Sequence, residues 1–170
     1  LLVGEREASH AGRVLPAADL LGELGLEPLK LAPKESLAIM NGTSVMTALT
    51  CLALARAQTL ARVSAVVTAA ASDAMVGNPA HFDARIYAAK PHPGSITYAG
   101  WVRAHLEYAP GPAFEGRIQD RYSIRCSPQV VGVLLDALEW MREWTNRELA
   151  GANDNPLIDP DTGATLHGGN

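Results

Sequence analysis

The feature that most constrains the fold is a long run of helix-forming, mostly apolar residues between Thr43 and Val76. Neither Pro nor Gly interrupts this run, and Gly77-Asn78-Pro79 ends it. At about 1.5 Å per residue, such a helix spans roughly 50 Å. Its apolar residues surround most of the helix circumference, which predicts a helix buried among other helices.

A membrane-spanning helix is the first alternative for this run, because it is long and apolar. Arg56, Arg62 and Asp73 interrupt it, together with Gln58. A span requires about twenty consecutive, predominantly apolar residues, and no uninterrupted run of that length exists here. The sequence therefore favours a core helix of a soluble protein, with no membrane as partner.

The remaining segments also follow a mainly helical pattern. Short helices are predicted over 16–24 and 33–40, and a longer one over 95–108. A Gly- and Pro-rich link at 109–116 follows. Residues 157–166 are predicted to form an extended pair around a turn at 160–163.

A third long helix is predicted to begin with Ser127 as N-cap and Pro128 at its first position, and to end before Gly151. Its apolar residues recur at three- and four-residue steps, which predicts one apolar face formed by Val130, Leu134, Ala137, Leu138, Met141 and Trp144. The predicted fold class is mainly α, a bundle of long helices without an internal domain boundary.

Composition excludes several classes of function. The net charge of -4 leaves no basic stripe for phosphates, so nucleic acid is not an expected partner. Cys51 and Cys126 have no disulfide or metal-site spacing and indicate a reducing, cytoplasmic compartment. The histidines are scattered and the segment 159–163 lacks the later ligands of a calcium loop, so no metal is expected.

Three polar breaks in the helical pattern hold the candidate site residues. In the first, Gln119, Tyr122 and Arg125 are three residues apart, so one helical or 3₁₀ turn would place them on one broad face. An Arg grips a carboxylate through two parallel hydrogen bonds, and a Tyr transfers a proton when suitably placed. The alternative is a solvated turn with the Arg in a surface ion pair, and spacing alone favours that alternative.

The other two breaks contain asparagines. Asn155 precedes a Pro, which favours an extended backbone and an amide directed at a ligand. The alternative is a turn that ends the preceding helix. Asn41, in the tripeptide Asn-Gly-Thr before the longest helix, offers a second amide, and its alternative role is to cap that helix.

Four segments in order nevertheless resemble the aromatic amino-acid ammonia-lyase and aminomutase family. They are LAPKESLAIMNGT at 31–43, QDRYSIRCSPQ at 119–129, NDNPLID at 153–159 and LHGGN at 166–170. The resemblance extends over essentially the whole chain. It favours a functional role for all three polar breaks.

The resemblance implies a helical, homotetrameric enzyme of the fumarase/aspartase-like superfamily that eliminates ammonia from an aromatic amino acid. The cofactor it implies is 4-methylidene-imidazol-5-one (MIO), formed from an internal Ala-Ser-Gly. It also implies that Arg125 binds the substrate carboxylate with help from Asn155. Tyr122 and Gln119 would lie beside the electrophile, and Asn41 would contact its oxygen or the substrate amine.

The sequence departs from the family in one important respect, because it contains no Ala-Ser-Gly. In the family this tripeptide lies a little before the segment that resembles residues 1–5, and a catalytic Tyr loop also precedes it. A Glu-bearing segment lies beyond residue 170. The chain is therefore expected to be an internal fragment that is inactive by itself.

The segments at 92–94 (His-Pro-Gly) and 166–170 resemble the phenylalanine branch of the family, which favours phenylalanine or tyrosine over histidine as substrate. Lyases and 2,3-aminomutases share every motif present here, so the reaction type stays open. A non-catalytic helical scaffold is the alternative from another class. The joint presence of the five polar site residues argues against it.

Overall fold

The computed structural model describes residues 1–108, 118–153 and 155–168. The elements in chain order are β1 (Glu7–His10), β2 (Arg13–Pro16), α1 (Ala17–Glu23), α2 (Glu35–Asn41), α3 (Ser44–Ala74), a 3₁₀ turn (Pro79–Phe82), α4 (Ala84–Ala88), α5 (Pro93–Tyr108), α6 (Tyr122–Arg125), α7 (Ser127–Ala150), β3 (Leu157–Ile158) and β4 (Thr165–Leu166). The whole link at 109–116, and Asp154, Gly169 and Asn170 of the motifs, lie outside the described residues.

The chain divides into two compact units. The first, here called the end unit, combines residues 1–44 with 153–170, and the second, the helical unit, holds residues 45–152. The end unit is thus built from both ends of the sequence rather than from one continuous segment. The absence of an internal domain boundary stays a prediction.

The end unit contains two antiparallel strand pairs. Strands β1 and β2 pair in a register that sets His10 opposite Arg13, with Ala11 and Gly12 as the two-residue loop. Both loop residues have positive φ, as a tight hairpin turn requires. Sequence patterns missed this hairpin because each strand has only four residues, most of them exposed, and shows no regular alternation of apolar and polar residues. The pair β3 and β4 confirms the predicted extended pair around a turn.

The helical unit has a small core. Ala65 and Ala69 of α3 pack with Phe82 and with Tyr98 and Val102 of α5. Small side chains thus form the face of α3 that meets this core. The core lies beside the start of α6, because Ile124 packs against it.

The prediction that α3 is buried among other helices is wrong within the described chain. Its buried positions repeat along one face, at Thr47, Ala61, Ala65, Ala69 and Ser72. Its larger apolar residues are exposed, among them Leu49, Leu52, Leu60, Val63, Val66 and Val67. An apolar circumference indicates how much surface a helix is able to bury, but the neighbours within the described chain cover only the alanine face.

Helices α5 and α7 approach through glycines. A Cβ added at Gly132 would lie 2.5 Å from the backbone nitrogen of Ser95, and one added at Gly94 would lie 2.0 Å from the carbonyl oxygen of Gly132. Both distances are far below van der Waals contact. The Gly94 amide also donates to Asp136 Oδ1 at 2.7 Å. Backbone contact therefore fixes the crossing of these two helices.

The face of α7 that is buried differs from the predicted apolar face. The residues of α7 that are buried are Ser127, Pro128, Gly132, Leu138 and Thr145. Four of the six residues of the predicted apolar face are exposed, namely Val130, Leu134, Met141 and Trp144. Periodicity finds the apolar residues of a helix, whereas the glycine contact decides which side meets α5.

The start of α7 also differs in detail from the prediction. Cys126 is the N-cap residue, without a side-chain cap hydrogen bond, and Ser127 is the first helical residue. The Ser127 hydroxyl donates to the carbonyl oxygen of Ile124 at 2.7 Å instead. The predicted place of Pro128 in the first turn is confirmed.

Helix α3 is long and apolar enough to cross a membrane by length and composition. Its most apolar window has a mean hydropathy of 1.2, and 11% of that window is buried within the chain. One such helix is weak evidence for a span, because the core helix of a soluble protein passes the same test.

Candidate functional site

The short helix α6 places Tyr122 and Arg125 together. They lie three residues apart on one turn, and the guanidinium carbon of Arg125 is 5.2 Å from the centre of the Tyr122 ring. Tyr122 is 69% exposed, so its phenol is open to a ligand. A cation over the ring face is attracted by the ring quadrupole, which favours this pairing.

Gln119 does not share that turn. The helix begins at Tyr122, and Gln119 lies before it in an exposed bend. The expectation that one turn would align three side chains therefore holds for Tyr122 and Arg125 alone. Spacing by three residues aligns side chains only where the backbone is helical.

The Arg125 guanidinium is half-buried and held by its own segment. Its Nε donates to the carbonyl oxygen of Asp120 at 3.2 Å, and its Nη1 contacts Cys126 Sγ at 3.3 Å. Among the described residues, no carboxylate pairs with this guanidinium and Nη2 has no hydrogen-bond partner. In the described chain, the surface ion pair that spacing alone favoured is therefore not formed.

Asp120 anchors the same segment to the loop that follows α3. Its carboxylate oxygen Oδ2 accepts a hydrogen bond from the Asn78 amide at 2.7 Å. Its own backbone amide donates to His81 Nε2 at 3.0 Å. Asp120 and His81 were not predicted as site residues, because they are 39 residues apart and no local pattern connects them.

A cleft of about 380 Å³ borders Tyr122. Its lining includes a group of hydroxyls, in which the buried Tyr98 hydroxyl lies 3.1 Å from Ser64 Oγ and 3.0 Å from Thr68 Oγ1. This group was not predicted from the sequence. Hydroxyls four residues apart within an apolar helix, at positions 64 and 68, are the signal that would have found it.

The end unit brings together segments that are distant in sequence. Lys34 Nζ donates to the carbonyl oxygen of Pro156 at 2.6 Å, and the side-chain amide of Asn153 donates to the Thr43 hydroxyl. The segment at 31–43 thus contacts the segment at 153–159. Two of the motifs that carry the family resemblance are therefore neighbours in space.

The two candidate asparagines both lie in this end unit. Asn41 is the last residue of α2 and is exposed. Asn155, also exposed, accepts a hydrogen bond at Oδ1 from the Gly168 amide at 3.4 Å, and its bond to Pro156 is cis. The segment at 166–168 thereby joins the other two.

The described residues contain no group of three or more His, Cys, Asp or Glu side chains arranged to hold a metal ion. Donors of another kind are present in each unit. The helical unit has the Gln119 amide, the Tyr122 phenol and the Arg125 guanidinium, and the end unit has the amides of Asn41 and Asn155. Donors of these types recognise carboxylates or stabilise negative charge on oxygen.

Comparison with known proteins identifies the family of the chain. A family profile described as "Aromatic amino acid lyase" matches residues 1–170. The histidine ammonia-lyase of Sorangium cellulosum (strain So ce56) is 43% identical over 160 residues, covering 92% of this chain and 31% of the relative. That of Geobacillus kaustophilus (strain HTA426) is 44% identical over 169 residues, covering 98% and 33%.

Solved structures give the same result. Phenylalanine aminomutase of Pantoea agglomerans matches with a TM-score of 0.82 at 30% identity, covering 99% of this chain and 36% of that chain. Histidine ammonia-lyase from Trypanosoma cruzi matches with a TM-score of 0.82 at 34% identity, covering 99% and 32%.

The chain belongs to the aromatic amino acid lyase family. Its mainly α fold is that of the ammonia-lyase and aminomutase structures, which confirms both the resemblance and the predicted fold class. The chain spans about a third of the length of the curated relatives it matches. The family supports the carbon-nitrogen lyase class, while the substrate ring is not fixed by these matches.

Proposed function

We propose that the full-length protein eliminates ammonia from an aromatic L-amino acid and releases an aryl acrylate. The observation that carries this proposal is the Arg125 guanidinium. It is half-buried beside the exposed Tyr122 ring, and its Nη2 is free of described partners. A charged donor fixed in this way is suited to a substrate carboxylate.

Arg125 is proposed to hold the α-carboxylate by two parallel hydrogen bonds, with the Asn155 amide as an additional donor. Fixing the carboxylate also fixes the positions of the α-amine and of the β carbon. The reaction needs this alignment because the proton on the β carbon is only weakly acidic. A base has to remove that proton as nitrogen leaves.

Tyr122, Gln119 and Asn41 are proposed as the catalytic hydrogen-bonding groups. A phenol and two amides fit beside a group whose oxygen gains negative charge, because all three donate hydrogen bonds. When present, the methylidene-imidazolone supplies an electrophilic carbon that makes the substrate nitrogen a better leaving group. The Ala-Ser-Gly from which the family forms it is proposed to lie in another part of the longer protein, so these 170 residues alone are expected to be inactive.

Two observations bear on the substrate ring, and they favour different amino acids. The segments at 92–94 and 166–170 favour phenylalanine or tyrosine, and the comparisons do not confirm that preference. The relatives named above, at 43% and 44% identity, are histidine ammonia-lyases, which supports L-histidine as the first substrate to test.

A 2,3-aminomutase reaction, giving a β-amino acid, is the second candidate. The structural match to a phenylalanine aminomutase at a TM-score of 0.82 supports it. The two reactions share the elimination step and differ in whether ammonia is added back before release, which depends on how long the site stays closed.

The protein is further proposed to act in the cytoplasm as a homotetramer, with neither membrane nor nucleic acid as partner. The exposed apolar residues of α3 support a surface that another part of the assembly covers. Light scattering of the purified full-length protein tests the tetramer by its mass.

The activity is tested by incubating the full-length protein with L-histidine, L-phenylalanine or L-tyrosine. Ultraviolet absorbance detects the acrylate, and chromatography detects a β-amino acid. Arg125→Ala is expected to lower kcat/KM on the order of 100-fold or more, because a charged pair is lost. Arg121→Ala, at an exposed arginine of the same segment, is the control and should retain activity. No product from any of the three amino acids would support the non-catalytic scaffold instead.

A further inference from the structure

We propose that His81 and Asp120 form a clamp that positions the Arg125 guanidinium for carboxylate binding. This inference rests on the proposed function, because it assigns a positioning role around the same arginine. Neither residue is placed against the substrate. Each acts through the backbone of the segment that carries Arg125.

Both residues of the clamp are largely shielded from solvent. The side chains of His81 and Asp120 are 15% and 6% exposed. Oδ2 of Asp120 accepts from the Asn78 amide at 2.7 Å, which ties the carboxylate to the loop after α3. A buried carboxylate needs such a donor, because losing its hydration without one is costly.

The His81 ring acts as a hydrogen-bond acceptor. Its Nε2 accepts the Asp120 amide hydrogen at 3.0 Å, so hydrogen-bond geometry assigns the proton to Nδ1. The same Nε2 lies 3.7 Å from Oδ2 of Asp120, which in this tautomer is proximity and not an ion pair. His81 therefore acts as an acceptor that fixes the backbone at residue 120.

Gly77 allows the end of α3 to approach the Asp120 carboxylate closely. A Cβ added at Gly77 would lie 2.5 Å from Ser72 Oγ and 3.0 Å from Oδ2 of Asp120. The Gly77 amide donates to the Ser72 carbonyl oxygen at 2.7 Å, which turns the chain at the end of α3. Only a residue without a side chain fits between the helix end and the carboxylate.

The backbone of Asp120 connects the clamp with the Arg125 guanidinium. The carbonyl oxygen of Asp120 accepts from Nε of Arg125 at 3.2 Å. Nε is occupied and one Nη1 hydrogen is used by Cys126 Sγ, so the edge formed by Nη2 and the remaining Nη1 hydrogen is left to bind a carboxylate. If the backbone at residue 120 is released, Nε loses its fixed acceptor and this edge is no longer held in place.

The experiment measures competitive inhibition of the full-length enzyme by two probes of the matching ring, a 3-arylpropanoate and its neutral 3-arylpropanamide. His81→Leu removes the acceptor. It is expected to raise the inhibition constant of the propanoate about tenfold and that of the propanamide less than about twofold. His81→Gln keeps an acceptor oxygen at similar reach and is expected to restore propanoate binding to within about threefold.

His81→Asn is the second variant, for use where His81→Leu does not fold, because it is polar and its shorter amide does not reach the Asp120 amide. It carries the same expectation as His81→Leu. Thermal unfolding of each variant shows that it is folded. An equal rise in the inhibition constants of both probes, or no rise in either for a folded variant, would overturn the clamp.

Arg125→Ala separates failure of the clamp from failure of the proposed function. If Arg125→Ala leaves propanoate inhibition unchanged, Arg125 does not bind the carboxylate, and its role in the proposed function fails together with the clamp. If Arg125→Ala weakens the propanoate but His81→Leu and His81→Asn do not, the arginine keeps its role and the clamp alone is overturned.

Discussion

The guanidinium of Arg125 lies over the ring of Tyr122, with 5.2 Å between its carbon and the ring centre. The contact uses the face of the ring, whereas the proposed chemistry uses the phenol hydroxyl. A substitution that keeps the ring and removes the hydroxyl therefore separates the two roles of Tyr122.

Tyr122→Phe in the full-length protein is expected to lower kcat by roughly 10²- to 10⁴-fold, because a positioned proton donor or acceptor is lost. KM is expected to change less than about threefold, since the ring still supports Arg125. Tyr122→Leu removes both features and should also raise KM. Steady-state kinetics measures both quantities, and unchanged turnover in Tyr122→Phe would remove Tyr122 from the catalytic set.

Gly132→Ala is expected to destabilise the protein by about 1–3 kcal/mol, because the added methyl group meets the Ser95 backbone where α5 and α7 cross. Gly100→Ala is the matched control. A Cβ there meets only Arg103 Nη2 at 3.8 Å, so better helix propensity should stabilise α5 by about 0.5–1 kcal/mol. Urea unfolding measures both changes. Equal effects of the two substitutions would contradict the close crossing.

Tyr87 is expected to remain protonated well above the usual range for a phenol. Burial raises the pKa of Tyr87 to about 12, with a further increase from the nearby Cys126 and an opposing effect of Arg103. The phenol donates to the carbonyl oxygen of His81 at 3.0 Å. Its contribution to stability is therefore complete below about pH 10 and is lost as pH rises through 12.

The difference in ultraviolet absorbance between the unmodified protein and Tyr87→Phe tests this prediction. Phenolate absorbance assigned to Tyr87 should appear with a midpoint near 12. The part of the alkaline stability loss that belongs to Tyr87 should be absent from the variant. A midpoint at the ordinary value of 10.0 would show that Tyr87 is not buried in solution.

The turn between β3 and β4 is expected to weaken in acid. Hydrogen bonds lower the pKa of the Asp159 carboxyl, chiefly from the Thr162 hydroxyl at 2.7 Å and then from the Asp161 amide at 2.9 Å. Its contribution is present above the unfolded pKa and is lost as pH falls through the lowered folded value.

Amide hydrogen exchange at Gly163 measures this effect, because its amide donates to the Asp159 carbonyl oxygen at 2.9 Å within the turn. Asp159→Ala should remove the protection at neutral pH. Asp161→Asn is the control, since the Asp161 side chain has no hydrogen bond to another described residue. Protection that is unaffected by Asp159→Ala would show that the side chain does not hold the turn.

Much of the secondary structure was predictable from the sequence, because the signals are local. Gly77 and Pro79 mark the end of α3, and Pro128 marks the start of α7. The hairpin of β1 and β2 and the short helix α4 were missed. Each strand of the hairpin has only four residues, most of them exposed, and α4 has only five residues, so neither produces a readable periodicity.

The candidate site was predictable only in part. Tyr122 and Arg125 meet as their spacing indicated, because one helical turn connects them. Gln119 falls outside that turn. The contact between His81 and Asp120 joins residues 39 positions apart, and no short-range pattern contains such a pair.

The sequence by itself determined where the helices lie and which family the chain belongs to, because helix breaks and ordered motifs are properties of neighbouring residues. Only the tertiary structure decided which helix faces are buried. The close approach of Gly94 and Gly132 orients α7, and alanines, not the larger apolar residues, form the inner face of α3. The tertiary structure also brought 31–43 beside 153–159, since contacts between distant segments depend on packing of the whole unit.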